Sequence, residues 1–154
     1  MIRTYREQDR QALKAITAEV FRPVSIDANI EDRFGVIAGV NWEQRKLKHI
    51  DADCDANPGG IFVAEQDGEV VGYITTRTDH ETKAGWIPNV AVKAKCKGQG
   101  VGRQLLERAL QYLREQGMAL ARIETLEQNP VGQHLFPKFG FQEVARQIHY
   151  AMPL

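Results

Sequence analysis

One segment limits the fold of this chain more than any other. Trp86-Ile87-Pro88-Asn89-Val90-Ala91-Val92 has the apolar, β-branched character of a strand. Lys97-Gly98-Gln99-Gly100-Val101-Gly102-Arg103 follows as a glycine-rich loop running into a helix. In that helix Val101, Leu105, Ala109 and Leu113, with Leu106 and Leu110 beside them, form one apolar stripe, and Gly117 stands where a left-handed residue ends such a helix. Ala121-Arg122-Ile123-Glu124-Thr125-Leu126 reads as the next strand. Strand, helix and strand at this spacing imply a right-handed crossover between parallel strands. Pro88 has no N–H to donate, so the pairing is expected to break there or to leave an edge.

The rest of the chain supplies more sheet and more helix. Ile2 to Tyr5 alternates as an edge strand, and Asp9 is placed to cap a helix carrying Leu13, Ile16, Val20 and Phe21, which Pro23 ends. Residues 27–50 read as a second helical region with Phe34, Ile37, Val40, Leu47 and Ile50 as its apolar face, its course disturbed by Gly35 and Gly39. Two apolar runs, Ile61–Glu65 and Glu69–Ile74, flank Gln66-Asp67-Gly68, a strong hairpin signal. Pro130 to Phe139 is a short helix that Pro137 kinks or ends, and Phe141–Val144 with Ile148–Met152 are expected to close an antiparallel hairpin. The expected architecture is one α/β domain over residues 1–154, a mixed central β-sheet with helices on both faces.

Charge and composition exclude several classes of function. Twenty Lys and Arg balance twenty Asp and Glu in 154 residues, without the basic excess of a general nucleic-acid or anionic-membrane binder. No stretch approaches the roughly 20 apolar residues of a membrane span, and Met1 to Arg6 is charged where a signal peptide would be apolar. Cys54 and Cys96 read as free thiols in a reducing cytoplasm. His49, His80, His134 and His149 show no metal spacing, so no metal is expected. Asp51, Asp53, Asp55 and Asn57 alternate like half a calcium loop, but Ala56 and Phe62 stand where Gly and Glu are needed. A solvated acidic turn is the expectation there.

The neutral total hides two local fields. Residues 27–69 hold ten acids and four bases, whereas Lys83, Lys93, Lys95, Lys97 and Arg103 occur with no acid among residues 83–103. The basic stretch surrounds the glycine loop. Glycines let the backbone turn its N–H groups outward, and a helix start adds unpaired donors and a partial positive charge. The combination suits phosphates. A Walker A loop is excluded, since no Gly-Lys-Ser/Thr occurs, and Gly98-x-Gly100-x-Gly102 has the wrong spacing for a Rossmann fingerprint. A coenzyme A loop, Gln/Arg-x-x-Gly-x-Gly/Ala, fits with Lys97 at its first position. An ordinary glycine-rich connection is the other reading of the loop taken alone.

Asn89-Val90-Ala91-Val92, the loop and its helix, Arg122-Ile123-Glu124-Thr125, Asn129 and Lys138-Phe139-Gly140-Phe141 together resemble the GNAT superfamily of N-acetyltransferases. The motifs cover residues 86–141, and the order of elements extends the resemblance to nearly the whole chain. It implies a GNAT-like fold with a parallel, splayed strand pair. It also implies acetyl-CoA as acyl donor and an amine-bearing acceptor, small molecule or peptide, attacking directly in a ternary complex. By position, the backbones of Val90, Ala91 and Val92 would bind the pantetheine arm, with the Val90 and Val92 amides at the thioester carbonyl. Backbone groups of Lys97, Gly98, Gln99, Gly100, Val101, Gly102 and Arg103 would hold the pyrophosphate, and Asn129 would contact the cofactor arm. Glu124 matches a carboxylate that relays the amine proton through water in ribosomal-protein N-terminal acetyltransferases. Phe136 matches a cofactor-side position where many members carry a tyrosine acid, and phenylalanine cannot donate a proton. Members are often homodimers.

Other residues compete for roles. Cys96 lies among lysines in the loop, and Tyr73 and Tyr150 are hydroxyls that could replace the missing acid. Trp42 and Trp86 suit either an acceptor pocket or the core, and an acidic groove from residues 27–69 would favour a cationic acceptor. The expected activity is an acyl-CoA-dependent N-acetyltransferase. The alternative, suggested by Phe136, is a non-catalytic acyl-CoA-binding or sensing module.

Overall fold

Asp67 and Gly68 both adopt positive φ, 50° and 77°, and so close the hairpin that organises the molecule. The computed structural model describes residues 1–154. In chain order the elements are β1 (Ile2–Thr4), α1 (Arg10–Val20), α2 (Ile26–Phe34), α3 (Trp42–Ala56), β2 (Phe62–Gln66) and β3 (Glu69–Ile74). They continue as β4 (Arg77–Asp79), β5 (Ala84–Ile87), β6 (Val90–Val92), α4 (Val101–Glu115), β7 (Leu120–Ile123) and α5 (Pro130–Leu135). No helix is long and apolar enough to cross a membrane.

The strands form two sheets, β1-β2-β3-β6 and β4-β5-β7. All neighbours are antiparallel except β5 and β7, which run parallel from Ala84↔Leu120 to Ile87↔Ile123. The run from Trp86 to Val92 does break at Pro88. Its first half pairs with β7 and its second half crosses to β3. The parallel pair therefore splays where Pro88 removes a donor, and a cleft opens between β6 and the chain leaving β7.

Alternation along β2 and β3 divides the apolar residues between two layers. Phe62, Ala64 and Ile74 pack with Leu105, Leu106, Ala109 and Leu113 of α4, while Ile61, Val63, Val70 and Tyr73 pack with Leu13 and Ile16 of α1 and Ile50 of α3. Gly85 allows α4 to sit close on β5, since a Cβ there would lie 2.7 Å from a Leu113 methyl. Leu105 is fully buried. Leu105→Ala is expected to cost about 2–5 kcal/mol, read as a fall in Tm of roughly 10 °C in a thermal melt.

Several expectations need correction. Residues 27–50 are not one helical region: α2 ends at Phe34, and positive φ at Gly35, Ala38 and Gly39 turns the chain before α3 begins. The Asp51-Asp53-Asp55 alternation is helical rather than a turn, because it lies in the last turns of α3. Asp9 precedes α1 as expected, but its carboxylate accepts from the Arg6 amide (2.8 Å) and pairs with Arg3 (2.7 Å) instead of capping the helix. The strand after α4 stops at Ile123. The C-terminal hairpin is absent: residues 141–154 contain neither strand nor turn. Ala145-Arg146-Gln147, between the two expected strands, has no Gly, Pro, Asn or Asp to reverse the chain.

Candidate functional site

The cleft begins at β6. Lys93 N donates to Val71 O (2.8 Å), and Thr75 N donates to Asn89 O (2.9 Å). These bonds bracket the pairs Gly72↔Val92 and Ile74↔Val90, which are therefore the non-hydrogen-bonded pairs of the ladder. The N–H and C=O groups of Val90 and Val92 point away from β3. As β6 is the last strand of its sheet, they face the cleft unpaired, while Ala91 turns its polar groups toward Tyr73.

A buried polar cluster fixes the start of this strand. The Asn89 amide N–H donates to Thr75 Oγ1 (3.1 Å), and its side chain donates to Asp53 Oδ2 (2.7 Å). Asp53, 3 % exposed, also accepts from Thr75 Oγ1 (2.9 Å) and Arg77 Nη2 (2.7 Å). Lys46 Nζ donates to Asn89 Oδ1 (2.7 Å) and sits 4.3 Å over the Phe21 ring. Burial pushes the Lys46 ammonium below the usual lysine range, against the pull of Asp27 and Asp53. Lys46 has no place in the sequence reading and Asp53 enters it only as part of an acidic turn; their spacing, seven apart on a single face of α3, is the signal that was there.

Five residues beyond the end of β6 the chain enters the loop at Lys97. Gly98 and Gly100 take positive φ of 79° and 81°, and Gly100 is the cap of α4 without any side-chain acceptor. None of the N–H groups from Gly98 to Arg103 finds a hydrogen-bond acceptor in the protein. No acid lies in the first turn of α4. The result is an exposed array of backbone donors at the positive end of a 15-residue helix.

The basic stretch is only partly free to act there. Lys93 and Lys95 both pair with Glu69 and pull its carboxyl down to about 2, and Arg103 Nε pairs with Glu107 (2.9 Å). The acidic stretch is neutralised in the same way. Asp51 and Asp55 meet Arg10, Asp53 meets Arg77, and Glu65 meets Arg3. The acids of residues 27–69 are thus mostly paired one by one, chiefly with arginines from elsewhere in the chain, and Glu69 alone joins the acidic stretch to the basic one.

The remaining candidates are placed unevenly. Glu124 is exposed one residue past the last β5–β7 pair, where the cleft opens, with no ion-pair partner. Asn129 caps α5 by accepting from Gly132 N (3.5 Å), and its Nδ2 donates to Thr125 Oγ1 (2.9 Å). Part of its hydrogen-bonding capacity thus holds its own loop. Gln128 ties that loop to the α1–α2 elbow through Pro23 O (2.7 Å) and Asn29, a contact between chain regions that no local pattern signals. Phe136 lies in the core, edge-on to Phe141 at 6.2 Å. Cys96 is buried beneath the loop, its thiol directed to Gln66. Tyr73 is fully buried on Thr17 Oγ1 (2.6 Å), and burial pushes its hydroxyl pKa up, so it is a poor proton donor to the cleft. Tyr150 lies on the C-terminal tail, and Trp86 is 38 % exposed on β5.

A model of the acetyltransferase (GNAT) family matches residues 27–141. Mycothiol acetyltransferase from Thermomonospora curvata is 30 % identical over 112 residues, covering 73 % of this chain and 37 % of that enzyme. The chain spans about a third of the length of the relatives of this kind that it matches. A GNAT family acetyltransferase from Brucella melitensis, solved in complex with acetyl-CoA, superposes with a TM-score of 0.66 at 25 % identity, covering 93 % of this chain and 82 % of that one. The PaiA N-acetyltransferase from Thermoplasma acidophilum, solved with coenzyme A, shares the fold at TM-score 0.72 and 17 % identity, covering 92 % and 89 %.

Proposed function

The chain belongs to the GNAT acetyltransferase family, and from that premise we propose that it transfers an acetyl group from acetyl-CoA to an amine. The observation that carries this reading is two sets of unpaired backbone groups on one stretch of chain, Val90 and Val92 in the first and Gly98 to Arg103 in the second; the amides of Lys93, Ala94, Cys96 and Lys97 between them are taken up within the protein, so the Lys97 amide is not part of the anion site. Pantetheine would lie beside β6 as an added strand, and the pyrophosphate would meet the loop and the first turn of α4. Lys97, exposed and unpaired, adds the nearest free cation.

The amine would attack the thioester carbonyl from the splayed side. As the tetrahedral intermediate forms, the open Val90 and Val92 amides supply donors to its oxyanion without reorganising. The Asn89–Asp53–Thr75 cluster keeps that strand end in position. Glu124, through water, would take the amine proton. Phe136 gives no proton, so coenzyme A leaves as a thiolate, whose ordinary pKa near 8.5 makes it a fair leaving group, and water protonates it. The acceptor is an amine-bearing small molecule or peptide, the setting is the cytoplasm, in keeping with two unpaired cysteines, and the partner is a second copy of the chain.

Coenzyme A release with a panel of amines tests this. Wild type should turn over, and Glu124→Gln should lose roughly 100-fold in kcat with little change in affinity for acetyl-CoA. Tight binding without turnover in wild type, Glu124→Gln and Phe136→Tyr alike would instead establish a non-catalytic sensor.

A further inference from the structure

An ammonium is costly to withdraw from water unless an opposite charge meets it. Three lysines, Lys14, Lys46 and Lys93, are drawn partly out of solvent, and the others are exposed. Lys14 meets Asp51 (3.0 Å) and Lys93 meets Glu69. Lys46 meets no carboxylate. Its one hydrogen bond goes to Asn89 Oδ1 (2.7 Å), which leaves two of its three N–H donors without an acceptor in the protein. Asp27 and Asp53 act on it only from a distance. Asp53 is already the acceptor for Thr75, Arg77 and Asn89, and Asp27 lies 3.7 Å from His49 Nε2. The Phe21 ring, 4.3 Å away, is a partial substitute for an anion.

The place of Lys46 in the fold gives this vacancy a use. Ala91 packs on the α1 and α3 side of the sheet, and the Asn89 side chain turns the same way to Lys46 and Asp53 of α3. α4, whose first turn receives the pyrophosphate, packs on the opposite side. With the cofactor on the α4 side, an amine reaches the thioester from the side where Lys46 stands. The elbow between α1 and α2 crosses that side. Phe21 at its start lies against Lys46, and beyond it Pro23 O and Asn29 hold Gln128 from the chain leaving β7 (2.7 and 2.9 Å). Lys46 therefore stands between the elbow and the start of β6. Its partner Asn89 directly precedes Val90, which puts the ammonium within roughly 10 Å of a carbonyl held by the Val90 amide.

We propose, on the premise of acetyl transfer to an amine, that Lys46 receives a carboxylate of the acceptor, and that the acceptor is a free amino acid or another small amine with a carboxylate a few bonds from its nitrogen. The carboxylate accepts the two spare N–H donors in charge-assisted hydrogen bonds and offsets the burial of the ammonium. The nitrogen at its other end then faces the thioester. The C–N bond forms as the C–S bond breaks, the amine proton passes through water to Glu124, and coenzyme A leaves as the thiolate. A protein N-terminus carries no carboxylate at this distance and lacks the anchor. An amine with a second cation meets Lys46 as a like charge. The sign is opposite to that suggested by the acids of residues 27–69, most of which are paired within the chain.

Initial rates of coenzyme A release with glycine, leucine, phenylalanine and glutamate, each beside its α-carboxamide, test the anchor. In wild type kcat/KM is expected to favour the acid over its amide by about 100-fold, the scale of a lost pair of charge-assisted hydrogen bonds. In Lys46→Met and Lys46→Gln the ratio should fall to within about threefold of unity, chiefly through KM. Lys46→Arg should keep the preference. Losses common to acid and amide cancel in the ratio, so a weakened Asn89 cluster cannot imitate the result. A wild type without the preference, or a preference that survives in both uncharged variants, overturns the assignment. Near-UV circular dichroism checks folding, and if Lys46→Met does not fold, Lys46→Gln, which keeps a donor for Asn89, decides. Absence of turnover with every amine would count against acetyl transfer itself. Calorimetry of the N-acetyl amino acids on the coenzyme A complex then reads the anchor separately: binding by wild type that Lys46→Gln abolishes supports it, and absent or equal binding overturns it.

Discussion

Gly102→Glu is expected to abolish coenzyme A binding and leave the fold intact. Gly102 is the second residue of α4, and a Cβ there would meet only a Val92 methyl at 3.7 Å. The larger side chain is therefore accommodated. Glutamate is a better helix former than glycine by up to about 1 kcal/mol, and an acid in a first turn interacts favourably with the helix dipole. Stability should stay the same or rise slightly. The new carboxylate, however, stands among the free N–H groups of Gly98 to Arg103, occupies the anion site and repels a pyrophosphate. Titration calorimetry with coenzyme A should show Kd raised by about 100-fold or more, equivalent to roughly 2.7 kcal/mol. An affinity within threefold of wild type would mean that the α4 N-terminus does not hold the phosphates. The variant separates binding from folding, which truncation of the loop would not.

Asp53→Ala is expected to produce the largest loss of stability of any single polar substitution, about 3 kcal/mol, or roughly 10 °C in Tm. Its carboxylate is the common acceptor for Thr75, Asn89 and Arg77. Removing it leaves the Thr75 O–H and an Asn89 side-chain N–H buried without an acceptor, and each such unsatisfied donor costs about 1–3 kcal/mol. Arg77 is 36 % exposed and recovers part of its hydration, which keeps the total at the lower end for a broken buried pair. Turnover should fall further than the population of folded protein, because Asn89 leads directly into Val90. Asp51→Ala is the control. Asp51 is 35 % exposed and shared between Arg10 and Lys14, so its loss should cost less than about 1 kcal/mol. Equal effects from the two substitutions would contradict the burial of Asp53.

These two positions mark where sequence reasoning reached and where it stopped. Gly102 was legible because everything that makes the site lies within a few residues of it: glycines that take positive φ, a helix start, and N–H groups with no neighbour able to accept. The hairpin at Asp67-Gly68 and the break at Pro88 were legible for the same reason. Asp53 was not. Its neighbours in sequence, Asp51 and Asp55, made it look like part of a solvated turn, and only the packing of α3 against the end of β3 sets it apart. Lys46 was missed likewise, as its partner Asn89 lies 43 residues away. The C-terminal hairpin was misread because apolar alternation reports that a segment is a strand and says nothing about which edge it pairs with. The one local signal against the hairpin is Ala145-Arg146-Gln147, which holds no residue suited to a turn.

The charge pattern divides along the same line. The sequence by itself determined a strand, a donor-rich glycine loop and an amphipathic helix in crossover order, hence the family and an anion site, because backbone donors and glycine conformations are local properties. Only the tertiary structure decided how those donors are used. It turned Val90 and Val92 toward the cleft through the register of β6 on β3, and it brought Glu69 to Lys93 and Lys95 and distant arginines to most of the other carboxylates of the acidic stretch. It also left β7 with an unpaired edge. Register, ion pairing and edge occupancy depend on groups far apart in the chain, and no local pattern encodes which of them will meet.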